Sequence, residues 1–119
     1  MTMTRLAVGA YGERCAVRHL IEAEMRVVAR NWRCDQGEID IIAWERDVLA
    51  FCEVKSRRGG AYGWPGEAVT AAKVRRLRRL ALRWLRESGT HPREIRFDVL
   101  EVYVARTGGA LVEHIRAAF

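Results

Sequence analysis

The sequence predicts an α/β fold, a mixed central sheet flanked by helices, with elements in the order α-β-β-β-α-β-β within one domain spanning residues 1–119. Three observations carry this. Residues 38–44 and 48–55 are two strand-like runs, rich in β-branched residues and apolar on both alternating faces, as in strands covered on both sides. Residues 70–87 repeat apolar positions with helical spacing under a dense cationic remainder. Half of the 119 residues are hydrophobic and 30% are charged, which suits a single core rather than a disordered chain.

Residues 4–24 read as the first helix, with Ala16, Leu20 and Ala23 on one stripe that Val17 and Ile21 widen. Glu13 lies one turn before Ala16 and Val17, so it is either aimed along the buried side towards the sheet or an ordinary surface glutamate. Residues 25–32 form the first strand, and 34–37 turn into the central pair. Arg30, Asn31 and Arg33 near that strand's end would contact phosphate or simply face solvent.

The central pair has its own logic. With Arg46 and Asp47 as a two-residue hairpin loop, Glu45 faces Val48, and counting outward sets Asp40 opposite Glu53 and Glu38 opposite Lys55. Alternation then places Asp40 with Ile42 and Trp44 on one face, and Ile39 with Ile41 and Ala43 on the other. Like charges directly opposite are destabilising, so this polar corner demands a cation, and a divalent metal suits converging carboxylates.

Beyond Lys55, residues 56–67 read as a glycine-rich loop in which Pro65 prevents further strand. Its Arg57, Arg58, Tyr62 and Trp64 suit phosphate contacts and stacking on an unpaired base, while Trp64 would also serve as a packing residue. The helix over 70–87 starts at an N-cap, Thr70, and stops at Ser88 and Gly89. Val74, Leu77, Ala81, Trp84 and Leu85 make its buried stripe, with Leu80 at the edge. Lys73, Arg75, Arg76, Arg78, Arg79, Arg83 and Arg86 cover the rest, with Glu87 the single acid among them. A phosphate backbone docks on such a surface by counterion release, and Arg76, Arg79 and Arg83 are its candidate contacts alongside Lys73. Residues 96–105 and 110–117 make a closing hairpin, in which Asp98 suits a structural hydrogen bond better than a second metal role.

An acid on one strand followed by Glu-x-Lys on the next, here Asp40, Glu53 and Lys55, resembles the pattern of the PD-(D/E)xK nucleases. Tyr11-Gly12-Glu13, Arg30-Asn31-Trp32, Gly37-Glu38-Ile39-Asp40, Glu53-Val54-Lys55-Ser56-Arg57, Lys73 and Arg96-Phe97-Asp98 resemble the successive signatures of the YraN family. That family comprises small bacterial endonuclease-like proteins, with archaeal Holliday-junction resolvases as structural relatives. The similarity runs from about Gly9 to Val102. It implies a restriction-endonuclease-like fold and a metal-dependent DNA endonuclease acting on branched or structured DNA. It also implies Mg²⁺ or Mn²⁺ held by Asp40, Glu53, the Val54 carbonyl and Glu13, with Lys55 beside the attacking water and Lys73 near the phosphate. Lys55 is a positioned cation first, and a base only if its pKa is depressed. The resolvases work as dimers, although no surface in this sequence specifies a homodimer.

The formal net charge of +6 favours a polyanionic partner, DNA first. Cys15, Cys34 and Cys52 form no C-x-x-C pair, His19, His91 and His114 have no zinc-ligand spacing, and no apolar run reaches a membrane span, so a cytoplasmic protein is expected. No repeat, Walker loop or nucleophile elbow occurs. Two functions stay open: the nuclease, or a nucleic-acid- or partner-binding module whose nuclease site is weak or idle.

Overall fold

Thr4 accepts a hydrogen bond from the Ala7 N–H at 3.0 Å and starts helix α1, Arg5–Glu22, in the computed structural model, which describes residues 4–58 and 70–119. Strands β1 (Arg26–Cys34), β2 (Gly37–Glu45) and β3 (Val48–Arg58) follow, then helix α2 (Ala71–Ser88) and strands β4 (Glu94–Val104) and β5 (Ala110–Ile115). The five strands form one mixed sheet in the order β1-β2-β3-β4-β5. Only β3 and β4 run parallel, as expected where a helix links two strands. Thr70 caps α2 by accepting from the Lys73 N–H at 3.2 Å, and Gly89, at φ 68°, ends it in the left-handed conformation that glycine adopts without strain.

Alternate residues of the same strands feed two apolar layers. Ile41, Ala43, Ala50 and Cys52 pack under Val8, Ala16 and Leu20 of α1. Ile42, Leu49 and Phe51 pack under Leu77, Leu80 and Ala81 of α2, where the Trp84 ring stands edge-on to Phe51 at 6.0 Å. The sheet is thus covered by α1 on one face and α2 on the other.

Several boundaries and faces differ from expectation. Leu80 is at the centre of the α2 stripe, and Ile21 of α1 is exposed. The strand expected to stop at Lys55 continues through Ser56, Arg57 and Arg58, because parallel pairing with β4 persists to Arg58↔Val104. Strand β5 ends at Ile115, since Ala117 turns to φ 50° and its N–H donates to Asp98 Oδ1 at 3.0 Å. Asp98 is fully buried and also accepts from Arg96 Nε at 2.9 Å, while His114 Nε2 lies 2.8 Å from its other oxygen. This is the structural role expected of it. These partners hold its carboxyl below the usual range against the opposing effect of burial. Nearby, Arg116 binds Glu45 through two bonds of 2.8 Å and Arg96 adds a third, which pulls the Glu45 pKa down to about 2.

The three cysteines are free thiols. Among the described residues no helix is long and apolar enough to cross a membrane.

Candidate active site

The two-residue turn at Arg46 and Asp47 forms as the sequence predicts, with Glu45 paired to Val48 and Arg46 at φ 57°. Counting outward, the β2–β3 ladder reaches Ile41↔Cys52 and stops there. On the other side, β1 pairs with β2 at Arg30↔Ile41 and Trp32↔Ile39, skipping the residue between, where Asn31 of β1 takes φ 49°. Asp40 therefore lies beyond the last β2–β3 pair and opposite Asn31 of β1. Its side chain fills the gap, accepting from the Val54 N–H at 2.8 Å with Oδ2. The interruption also overturns the face expected for Ile39, which packs with Leu77 and Leu80 under α2 rather than with Ile41 under α1. β2 has left β3 at this point and keeps only β1 as a neighbour, and strict alternation ends there.

Glu53 and Glu13 approach Asp40 from different elements. Glu53 follows Cys52 on β3, and its Oε1 lies 3.3 Å from Lys55 Nζ. Glu13 is brought in by α1, whose neighbouring Gly12 lies directly against β3. A Cβ at Gly12 would stand 1.9 Å from Ser56 Oγ, so only glycine allows this contact. Burial raises the Asp40 pKa to about 6; the Val54 N–H opposes this, and the charges of Glu53, Glu13 and Glu38 add to it. Glu13 Oε1 is buried without a hydrogen-bond partner among the described residues. Glu38 turns outward and pairs with Arg33 at 2.9 Å.

These features suit a hard divalent cation, because crowded carboxylate oxygens and one orphaned acceptor are what Mg²⁺ or Mn²⁺ neutralises. As the side chains stand, no three His, Cys, Asp or Glu among the described residues converge to ligating distance. Coulombic repulsion reaches farther than coordination, so both observations hold together. Ligation would require Glu53 to exchange Lys55 for the ion and Glu13 to swing towards Asp40.

Cations rim the carboxylates. Lys73, in the first turn of α2, sits beside Lys55, whose positive charge lowers the Lys73 pKa. Lys73 and Arg76 line a cleft of about 250 Å³ under α2 that reaches Asp40 and Glu53. A second cleft, about 580 Å³, opens under α1 and is lined by Arg5, Glu13, Asp40, Val54, Ser56 and Arg58. Asp40 is common to both.

The remaining candidates divide. Arg57 Nε donates to the buried Glu101 at 3.1 Å, and Arg83 is bound to Asp35 and Glu87, so both guanidinium groups already serve carboxylates. Arg79 is exposed on α2 away from any ion pair among the described residues. Tyr62 and Trp64 lie outside the described residues. Sequence reasoning missed Arg5 and Ser56. Gly12 carried a signal for Ser56, since a glycine within a helix marks close approach to a neighbour; Arg5 carried none.

A UPF0102 protein of Salinispora arenicola is 59% identical over 119 residues, the whole of both chains. One from Beutenbergia cavernae is 54% identical over 110 residues, covering 92% of this chain and 93% of its own length. A third, from Rhodococcus jostii, is 53% identical over 114 residues, 96% of this chain and 97% of its own. The model of a family described as "Uncharacterised protein family UPF0102" matches residues 12–102, a span that starts at the helix glycine beside Glu13 and contains Asp40, Glu53 and Lys55. With that match over most of its length, the chain belongs to the UPF0102 family.

Proposed function

We propose that the chain is a restriction-endonuclease-like domain over residues 1–119 that hydrolyses phosphodiester bonds of DNA with Mg²⁺ or Mn²⁺. The observation that carries this reading is Asp40: beyond the last β2–β3 pair, part-buried, and set among Glu53 and Glu13 with too little positive charge to balance them. One N–H from Val54 leaves this carboxylate short of donors, and a carboxylate with a pKa near 6 is poised to exchange its proton for a metal.

Asp40, Glu53 and Glu13 would hold the ion, with the Val54 carbonyl as a further oxygen. When bound, such an ion lowers the pKa of water and neutralises charge on phosphate oxygens. Lys55, whose Nζ lies 3.3 Å from Glu53, would hold a positive charge beside the cleavage point. There it orients water and stabilises negative charge that builds on the phosphate. Lys73, beside Lys55, and Arg76 line the cleft that would receive the flanking phosphate. The Asp40–Val54 hydrogen bond fixes the carboxylate while its neighbours move.

A second reading has an observation of its own. Since three carboxylates do not yet converge, while the cationic surface of α2 stands independent of them, a nucleic-acid-binding module with an idle site is the alternative.

The test is cleavage of labelled duplex, single-stranded, flap and four-way-junction DNA with Mg²⁺ or Mn²⁺, using wild type, Asp40→Asn and Lys55→Ala. Folding and DNA binding are checked for each. Metal-dependent cutting lost in both variants supports the nuclease. Binding without cutting on every substrate selects the module, and cutting that survives both substitutions sinks the assignment of this corner.

A further inference from the structure

The two clefts that meet at Asp40 lie on opposite faces of the sheet. The larger is closed by α1 and by Val54, Ser56 and Arg58, the β3 positions that face α1; the smaller is closed by Lys73 and Arg76 of α2. Each face thus offers a pair of cations, Arg5 and Arg58 on one, Lys73 and Arg76 on the other. Arg5, Arg58 and Arg76 make no ion pair with other described residues. Arg57 and Arg83, by contrast, are held by acids. Arg5 and Arg58 on one side, and Lys73 and Arg76 on the other, are therefore the cations lining the clefts beside the carboxylate that no described acid holds.

We propose that a single unpaired nucleic-acid strand passes Asp40 where the pairing of β2 with β3 ends beyond Ile41↔Cys52, with phosphates on Arg5 and Arg58 under α1 and others, further along the strand, on Lys73 and Arg76 under α2. This rests on the nuclease reading in taking Asp40 as the point of cleavage. Duplex DNA cannot follow that path. The two recesses lie on opposite faces of one sheet, each walled by a helix, whereas duplex DNA keeps its direction over about 50 nm, and even a smooth bend of 40–90° takes about 20–30 base pairs. An unpaired strand turns at each nucleotide and can enter recesses on both sides. The substrate class is accordingly DNA with a gap, flap or single-stranded tract at the scissile bond, and Arg5 and Arg58 form a phosphate subsite separate from the basic face of α2.

The experiment uses the full chain carrying Asp40→Asn, without divalent metal, so that binding is read apart from cutting. Fluorescence anisotropy compares a continuous duplex, the same duplex with a central unpaired tract, a flap, and a fully paired four-way junction. Arg5→Ala/Arg58→Ala and Lys73→Ala/Arg76→Ala are added separately, with Arg5→Lys/Arg58→Lys as the conservative control and circular dichroism to verify folding. The expected result is binding to the unpaired tract about tenfold tighter than to duplex, a preference that either Ala pair removes and the Lys pair largely keeps. The salt dependence should weaken by roughly 0.7 in log–log slope for each phosphate that the Ala variants leave without its cation. Equal binding of duplex and unpaired tract, tightest binding to the fully paired junction, or indifference to Arg5→Ala/Arg58→Ala would overturn the strand path. Cleavage by the protein with Asp40 intact is scored separately. No cutting alongside the binding preference removes the nuclease reading and leaves the path; cutting within continuous duplex does the reverse.

Discussion

Asp40 of β2 and Asp98 of β4 lie on either side of β3, each with a carboxylate set into the sheet. Asp98 is given Arg96, His114 and the Ala117 N–H, and its pKa falls. Asp40 receives one N–H and is faced by acids, so its pKa climbs to about 6. Burial is common to both residues; what differs is the supply of donors and positive charge. A satisfied carboxylate locks strands together, whereas one left short of cations stores affinity for a ligand that brings them.

The largest expected effect that separates the two is on chemistry. Asp40→Asn should lower cleavage by roughly 10²–10⁴-fold while raising stability at pH 7 by roughly 1–3 kcal/mol, because the cost of ionising a buried acid disappears. Cleavage rates and urea unfolding measured on one preparation check both halves; a destabilised Asp40→Asn would end the contrast. Asp98→Ala should do the opposite to stability, losing about 3–5 kcal/mol as Arg96 and the Ala117 N–H are left without their buried acceptor. Divalent metal sharpens the difference in binding: Mg²⁺ or Mn²⁺ at a hundred times its Kd should stabilise wild type by about 2.7 kcal/mol, read as a rise in Tm that Asp40→Asn abolishes. Gly12→Ala should cost roughly 1–3 kcal/mol by forcing α1 from Ser56, and weaken metal binding as Glu13 withdraws.

The smallest effect is in pH, where the signs are opposed. Asp40 has a folded pKa above its ordinary 3.8, so the folded state holds its proton longer and this residue's contribution to stability declines as pH rises from about 4 through 6. Glu45 and Asp98 have folded pKa values below their ordinary ones. Their contribution is present above the unfolded pKa and is lost as pH falls through the folded one, about 2 for Glu45. Unfolding free energies of wild type and Asp40→Asn across pH 4–7 should differ in slope between about pH 4 and 6 and run parallel above that. Parallel curves over the lower interval as well would show that Asp40 titrates normally.

Element order, both helix caps and the Glu45↔Val48 turn are legible in the sequence because each depends on local chemistry: Thr70 before an amphipathic run, Gly89 after it, and two polar residues between strand-like runs. Asp40, Glu53 and Lys55 are legible as a charged corner in an otherwise apolar strand pair. The break in the ladders is not, since it requires Asn31 of β1 to go left-handed opposite Asp40, a tertiary event that leaves β2's own residues unchanged. For the same reason strict alternation puts Ile39 on the wrong face. The extension of β3 to Arg58 depends on β4, about forty residues onward, and no pattern within 56–58 announces it. Arg57 looks free for phosphate in the sequence because its partner, Glu101, comes from that distant strand.

The contact between Gly12 and Ser56 also bears on the order of assembly. Strands β1 to β3 form a continuous meander whose contacts are near in sequence, while α1 must find the far end of β3 across more than forty residues. Loop-closure entropy therefore favours the meander first and helix docking afterwards. Asp40 and Glu53 are brought near one another by the early event, and Glu13 by the late one. Transient undocking of α1 would then expose one wall of the carboxylate corner while the meander stays intact, giving hydrogen exchange in α1 a faster clock than in β2 and β3.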